Sequence, residues 1–451
     1  MRDNPYVGPR PFRAGETLFG RDRAAHELSD LLIAERVMLL HSPSGAGKSS
    51  LIRAGVVPLL RWEGFGEKRF APTGSLRLGR PHAGPEGHNR YVASVIADLL
   101  GDEAPQPGSM TLAEAVKAGH DAETEFPVLV FDQFEEIFTA DPADGAGQAA
   151  FFDELGVLLG DELVWTLIAL REEYLGGLQP YAHHFPDGLR NTYRLDSLTR
   201  AGARAAIQKP AAQHGAVFAD DAADELVDRL TTARHVEPFQ LQVVCRQIWR
   251  SVSRVKGDEF TSIGLDDIAR RADVAEALRT YYADTVTEIG RRTDAGVRPI
   301  RDWLETQLIT SHGVRTQTMT GPGGEVARWL NDAYLIRDEV RAGALWYELS
   351  HDQLIRPILE DNEVWRRSTL EPWQQAAWVW FRTRRTDQLL TGAALATAQS
   401  HAREDELTPY EREFLSESAR GSRRKGVPVL IVVLLAVVLL QSVVIILLAT
   451  R

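Results

Sequence analysis

The stretch Ser42-Pro43-Ser44-Gly45-Ala46-Gly47-Lys48-Ser49 constrains this chain more than any other, because it lies between an apolar run at 37–40 and a helix-like segment beginning SLIRAGVV. Glycines tolerate backbone conformations that side chains forbid, so such a loop can wrap its N–H groups around a phosphate. The helix that follows adds its positive end. Strand, glycine-rich loop, lysine, hydroxyl and helix in this order describe a phosphate-binding loop at the carboxyl edge of a parallel sheet. In that reading the backbone of Ser44, Gly45, Ala46, Gly47 and Ser50 surrounds the phosphates and Lys48 reaches the β/γ oxygens. The Ser49 hydroxyl then ligates Mg2+. The pattern departs from GxxxxGK[ST] at its first position, where Ser42 replaces glycine, while Gly45 and Gly47 still permit the wrap.

Two more apolar runs, 128–131 and 164–170, show no alternation, as expected of strands buried on both faces of a parallel sheet. Asp132 ends the first and is predicted to hold Mg2+ directly or through water. Glu135 and Glu136 follow within a turn, where a carboxylate would orient or deprotonate the attacking water, unless both belong to a solvated acidic loop. Arg171 ends the second run, placed either to read a γ-phosphate or to form a surface ion pair. An amphipathic helix within 16–32, with Ala24, Leu28, Leu31 and Leu32 on one face, precedes the first strand. The fold class is therefore an α/β P-loop NTPase with a parallel sheet over 1–200.

Beyond residue 200 the pattern changes. Helical periodicity dominates 201–273. Over 274–366 two helices, a third at GEVARWLNDA and two strand-like runs joined by Arg341-Ala342-Gly343 predict a winged-helix domain with a hairpin wing. A helical stalk is expected over 367–422. Residues 427–449 carry no charge and would extend roughly 34 Å as a helix, enough for one transmembrane span. Arg423, Arg424 and Lys425 precede it, so the near side is expected to face the cytoplasm. The opening residues hold no apolar leader segment, which also keeps the bulk cytoplasmic. A single cysteine, Cys245, excludes internal disulfides and Cys-based metal clusters, and the net charge of −12 gives no general attraction to nucleic acid.

With these motifs in view the chain resembles the STAND class of signal-transducing P-loop NTPases, specifically the bacterial novel STAND group. The resemblance rests on NPYVGPRPF, LFGRD, SPSGAGKSSLIRAGVVPLL, FDQFEEIF, LREEYL, AAIQKPA and WYELSHDQLIRPIL in that order. It implies that the 201–273 helices form a lid, that the protein is a slow ATP hydrolase with ATP/ADP and Mg2+ as ligands, and that it self-associates on binding ATP. It also places Gly20 and Arg21 near adenine and ribose and sets His351 against the ADP β-phosphate. The expected role is a membrane-held signalling switch in stress, conflict or defence, with an unidentified protein sensor or effector. The alternatives are a nucleotide-binding scaffold without significant hydrolysis, a membrane motor or transporter ATPase, and a winged-helix DNA-binding regulator. The last is weakened by Asp338, Glu339 and Glu348 offsetting Arg337 and Arg341 on the wing.

Overall fold

The computed structural model describes residues 3–43, 45–78, 88–232, 235–257, 260–271, 273–341, 344–403 and 407–422. They fall into two compact units, the first ending at Leu359 and the second beginning at Glu360.

The first unit is built on five parallel strands: β1 Val37–Ser42, β2 Lys68–Leu76, β3 Glu125–Asp132, β4 Trp165–Arg171 and β5 Thr192–Arg194. Their spatial order is β2-β3-β4-β1-β5, with Gly64–Phe65 added antiparallel outside β2. The apolar runs lack alternation because both faces are covered. Leu39, Leu129, Phe131 and Ile168 point into one core with helices Arg90–Leu100, Leu112–Gly119 and Gly145–Leu159. Met38, Leu40, Val128, Val130 and Leu167 point into the opposite core with helix Asp22–Glu35. That helix turns Ala25, Leu28, Ser29 and Leu32 inward, whereas Leu31 is 39% exposed, so the buried face is rotated from the one expected.

Two of the five parallel strands escaped the sequence reading. β2 contains Pro72 and Gly74, and its pairing with β3 slips between Pro72 and Ser75. There the Thr73 hydroxyl accepts from the Val130 N–H at 3.0 Å, replacing the ladder bond that the bulge loses. β5 is three residues long and lies at the sheet edge.

The described residues of 201–273 are mostly helical, chiefly Arg200–Gln213, Asp220–Leu230 and Pro238–Lys256, with two short strand pairs, Val217–Phe218 with Ser262–Ile263 and Thr231–Thr232 with His235–Val236. They share a core that includes Cys245 and Trp249, and Tyr6 inserts into it from far upstream. Next come helices Val274–Arg292 and Val297–Leu308, strand Gln317–Thr318, helix Gly324–Asp332 and the hairpin Ile336–Arg341 with Ala344–Leu349. The short Gln317–Thr318 strand, which sequence patterning did not show, pairs with Ala344–Leu349 and completes a three-stranded antiparallel sheet.

Where a helical stalk was expected over 367–422, the helices of the second unit have a core of their own. Helices Pro372–Thr383, Gly392–His401 and 409–422 pack around their own core of Trp373, Trp378, Trp380, Leu395, Tyr410 and Phe414. The aromatic density that suggested a stalk is spent on this small core, with Arg366 and Arg384 lying 4.1 and 4.6 Å above Trp378 and Trp380. The apolar run at 427–449 lies outside the described residues, and no helix among the described residues is long and apolar enough to cross a membrane.

Candidate functional site

β1 delivers the chain into the phosphate loop at Ser42. Gly45 and Gly47 adopt φ of +83° and +97°, a region that disfavours side chains, and Gly47 caps helix Lys48–Leu51. Ser44 lies outside the described residues. The Ser42 side chain, at the position where glycine is usual, is fully buried. Its hydroxyl takes a hydrogen bond from Lys48 Nζ at 2.9 Å and donates to the Pro43 carbonyl at 2.8 Å. Burial lowers the Lys48 pKa. The serine therefore docks the lysine beside the loop without blocking the glycines.

The helix after the loop and the end of β3 meet where the metal was expected. Ser49 Oγ lies 3.0 Å from Asp132 Oδ1, so two hard oxygen donors converge, as suits Mg2+ with waters completing its shell. Asp132 Oδ2 is 3.1 Å from an Arg53 guanidinium nitrogen. Arg53 is four residues past Ser49, on the same helix face, within a π-helical turn over Ile52–Val56. That i,i+4 spacing was visible in the sequence, although Arg53 was not singled out.

The adjacent glutamates are held differently. Glu136 accepts from the Arg77 guanidinium through Oε1 and from the Leu78 N–H through Oε2 at 3.0 Å, clasping the end of β2 to the segment after β3. Glu135 pairs through Oε1 with Arg171 Nε at 3.0 Å, while its buried Oε2 has no hydrogen-bond partner among the described residues. Burial raises the Glu135 pKa, which favours a carboxylate able to take up a proton. Because β4 lies between β1 and β3, Arg171 emerges between the phosphate loop and Asp132.

Residues of other modules close over this edge. His351 stacks on Phe239 with ring centroids 3.9 Å apart, and a Cβ built on Gly45 would stand 3.3 Å from the imidazole. Burial, then Arg315 and Arg171, push the His351 pKa down to about 4, so the ring is neutral near pH 7. Arg21 donates to the Ala46 carbonyl at 2.8 Å, and burial lowers its pKa to about 10. Gly20 instead serves packing: a Cβ there would fall 2.1 Å from the Gly202 carbonyl oxygen, so only glycine lets this segment touch helix Arg200–Gln213.

NPYVGPRPF, legible only as a family marker, is a strap. Asn4 donates to the Arg246 carbonyl at 3.0 Å, Tyr6 to the Ile207 carbonyl at 2.6 Å, and the Phe12 N–H to Ser50 Oγ at 3.1 Å. It joins two helices of the 201–273 module to the helix after the phosphate loop. Strap, phosphate loop, sheet edge, helix Pro238–Lys256 and the hairpin region together enclose a cavity of about 450 Å³. Its lining brings together Gly45, Ala46, Gly47, Lys48, Ser49, Ser50, Asp132, Glu135, Glu136, Arg171, Arg21 and His351. Gly20 stands outside that lining, and Arg53, Arg77, Phe239 and Gln242 join it unforeseen.

The family described as Novel STAND NTPase 1 matches residues 5–394. No curated protein matches the chain. Among solved structures, a Walker-type ATPase of Pyrococcus abyssi is similar at 13% identity and TM-score 0.42, covering 78% of this chain and 98% of its own. The ORC2 protein of Aeropyrum pernix, in its ADPNP–ADP complexes, is similar at 10% identity and TM-score 0.44, covering 79% and 96%. Similarities this low leave the assignment to the family match.

Proposed function

The chain belongs to the novel STAND NTPase family and is a nucleotide-binding P-loop NTPase; from that premise we propose that it is a switch whose conformation and self-association follow ATP and ADP. The observation that carries this reading is His351 resting against Gly45 while stacked on Phe239. One imidazole thereby touches the phosphate loop and the helical module from a third module, which we read as a winged helix. A ligand that alters the loop alters the fit of all three.

In the proposed reaction Lys48 neutralises β/γ oxygens, Arg171 senses the γ-phosphate, and Glu135 Oε2 holds the attacking water and accepts its proton. Glu136, with both oxygens engaged, sets the shape of the loop after β3. Ser49 and Asp132 would hold Mg2+, which supplies charge neutralisation at the phosphates. Hydrolysis in this reading is slow and serves to reset the switch.

The uncharged run at 427–449 after Arg423, Arg424 and Lys425 supports a single-pass anchor with the bulk of the chain on the cytoplasmic side. We place the protein in stress, conflict or defence signalling, upstream of a protein effector. A DNA-reading role is disfavoured because Arg337 is paired with Glu348 and both Arg337 and Asp338 line the cavity.

The test compares full-length wild type, Lys48→Ala and Glu135→Gln in detergent for bound nucleotide and particle mass with ADP and with ATP. Lys48→Ala is expected to lose nucleotide, and Glu135→Gln to retain ATP and shift to larger particles. Equal particle mass in ADP and ATP for all three proteins would refute the switch.

A further inference from the structure

Charged groups crowd one side of the cavity, while the side formed by the 201–273 helices is apolar: Ala206, Pro210 and Leu241 contribute there, with Leu198 just before them. Gln242 is the exception on that wall. It is 8% exposed, lines the cavity, and its Oε1 is buried without a hydrogen-bond partner among the described residues. Buried polar atoms are nearly always paired, so an amide oxygen without a partner, on a side chain that lines a ligand cavity, marks a group that a turn of the amide can offer to a ligand.

Its place along helix Pro238–Lys256 says which part of the ligand it meets. Pro238, in the first turn, lies 3.9 Å from the position of a Cβ on Gly47, beside the phosphates, and Phe239 packs on His351. Gln242 is one turn further on, about 6 Å along the axis. A base joined to its phosphates through ribose reaches that level, and flat apolar walls suit its faces.

We infer that Gln242 is the base-reading residue and that it selects adenine: Oε1 accepts from the exocyclic 6-amino group and the amide nitrogen donates to the neighbouring ring nitrogen. One acceptor beside one donor matches adenine's edge. Guanine's edge offers two adjacent donors, which call for a carboxylate. This inference rests on the proposed nucleotide reading and adds its base specificity.

The experiment measures binding of ADP, GDP and purine riboside diphosphate, which lacks the 6-amino group, to full-length wild type, Gln242→Leu and Gln242→Glu. Wild type is expected to prefer ADP over the purine analogue by about tenfold, the effect of one buried hydrogen bond. Gln242→Leu should weaken ADP by a similar factor and make the two ligands equal. Gln242→Glu should shift the ADP-to-GDP ratio toward GDP. Each comparison is a ratio within one protein, so a general loss of stability does not imitate it. An ADP preference over the purine analogue that survives in Gln242→Leu, or is missing from wild type, overturns the assignment while leaving nucleotide binding intact. Failure of wild type to bind any of the three overturns the nucleotide reading itself.

Discussion

The floor and the roof of the cavity are built on opposite electrostatic terms. On the floor Lys48, Arg53, Arg77 and Arg171 face Asp132, Glu135 and Glu136, with ion pairs such as Arg53–Asp132 and Arg171–Glu135 within 3.1 Å. Over them lie Pro238, Phe239, Gln242 and a His351 held neutral by its burial. The floor can stabilise and move charge. The roof, whose charged groups among the described residues are confined to the hairpin's Arg337 and Asp338, is suited chiefly to fitting the ligand's shape. On the proposed reading chemistry and sensing belong to different modules, and a variant should disturb one while sparing the other.

The largest expected effect lies on the floor. Glu135→Gln should slow hydrolysis by about 100- to 1,000-fold with nucleotide affinity retained, read by single-turnover phosphate release. An equal loss in Glu136→Gln would break the distinction between the two glutamates. Next, Arg77→Ala leaves Glu136 buried without its guanidinium and should cost about 3 kcal/mol in urea unfolding, with the roof contacts unchanged.

The roof is tested by pH. Because the folded pKa of His351 is about 4, against 6.5 for the free group, its contribution to stability is complete above pH 6.5 and is lost as pH falls toward 4. Lowering pH from 7 to 5 should therefore cost about 2 kcal/mol through this residue, a component absent in His351→Gln. Smallest is Tyr6→Phe, which removes the buried bond to Ile207 and should cost about 1 kcal/mol, seen as faster nucleotide release.

The floor, Arg53 and Arg77 excepted, was legible in the sequence because its chemistry demands particular residues at strand ends. Lys48 follows its loop, and Asp132 and Arg171 close doubly buried strands whose apolar runs stand out. β2 stayed hidden since Pro72 and Gly74 interrupt its run and the Thr73 hydroxyl repairs the gap only in three dimensions. Most of the roof was hidden for a related reason. Nothing local to Gln242 or Phe239 tells that either lines the cavity, and their placement depends on contacts across more than a hundred residues, such as Phe239 with His351. His351 itself was noticed through resemblance, whereas its neutrality follows from burial alone.

The strap also ties competence to synthesis. Asn4 and Tyr6 leave the ribosome early, yet their partners Arg246 and Ile207 lie 242 and 201 residues downstream. A nascent chain that already contains the phosphate loop and Asp132 has no helix on which to seat the strap. Ribosome-stalled chains ending before residue 207 should accordingly fail to retain labelled nucleotide, and chains carried well past residue 246 should gain strap closure. The cavity would then be closed only after the 201–273 helices exist, so that a half-made chain carries the phosphate loop without its cover.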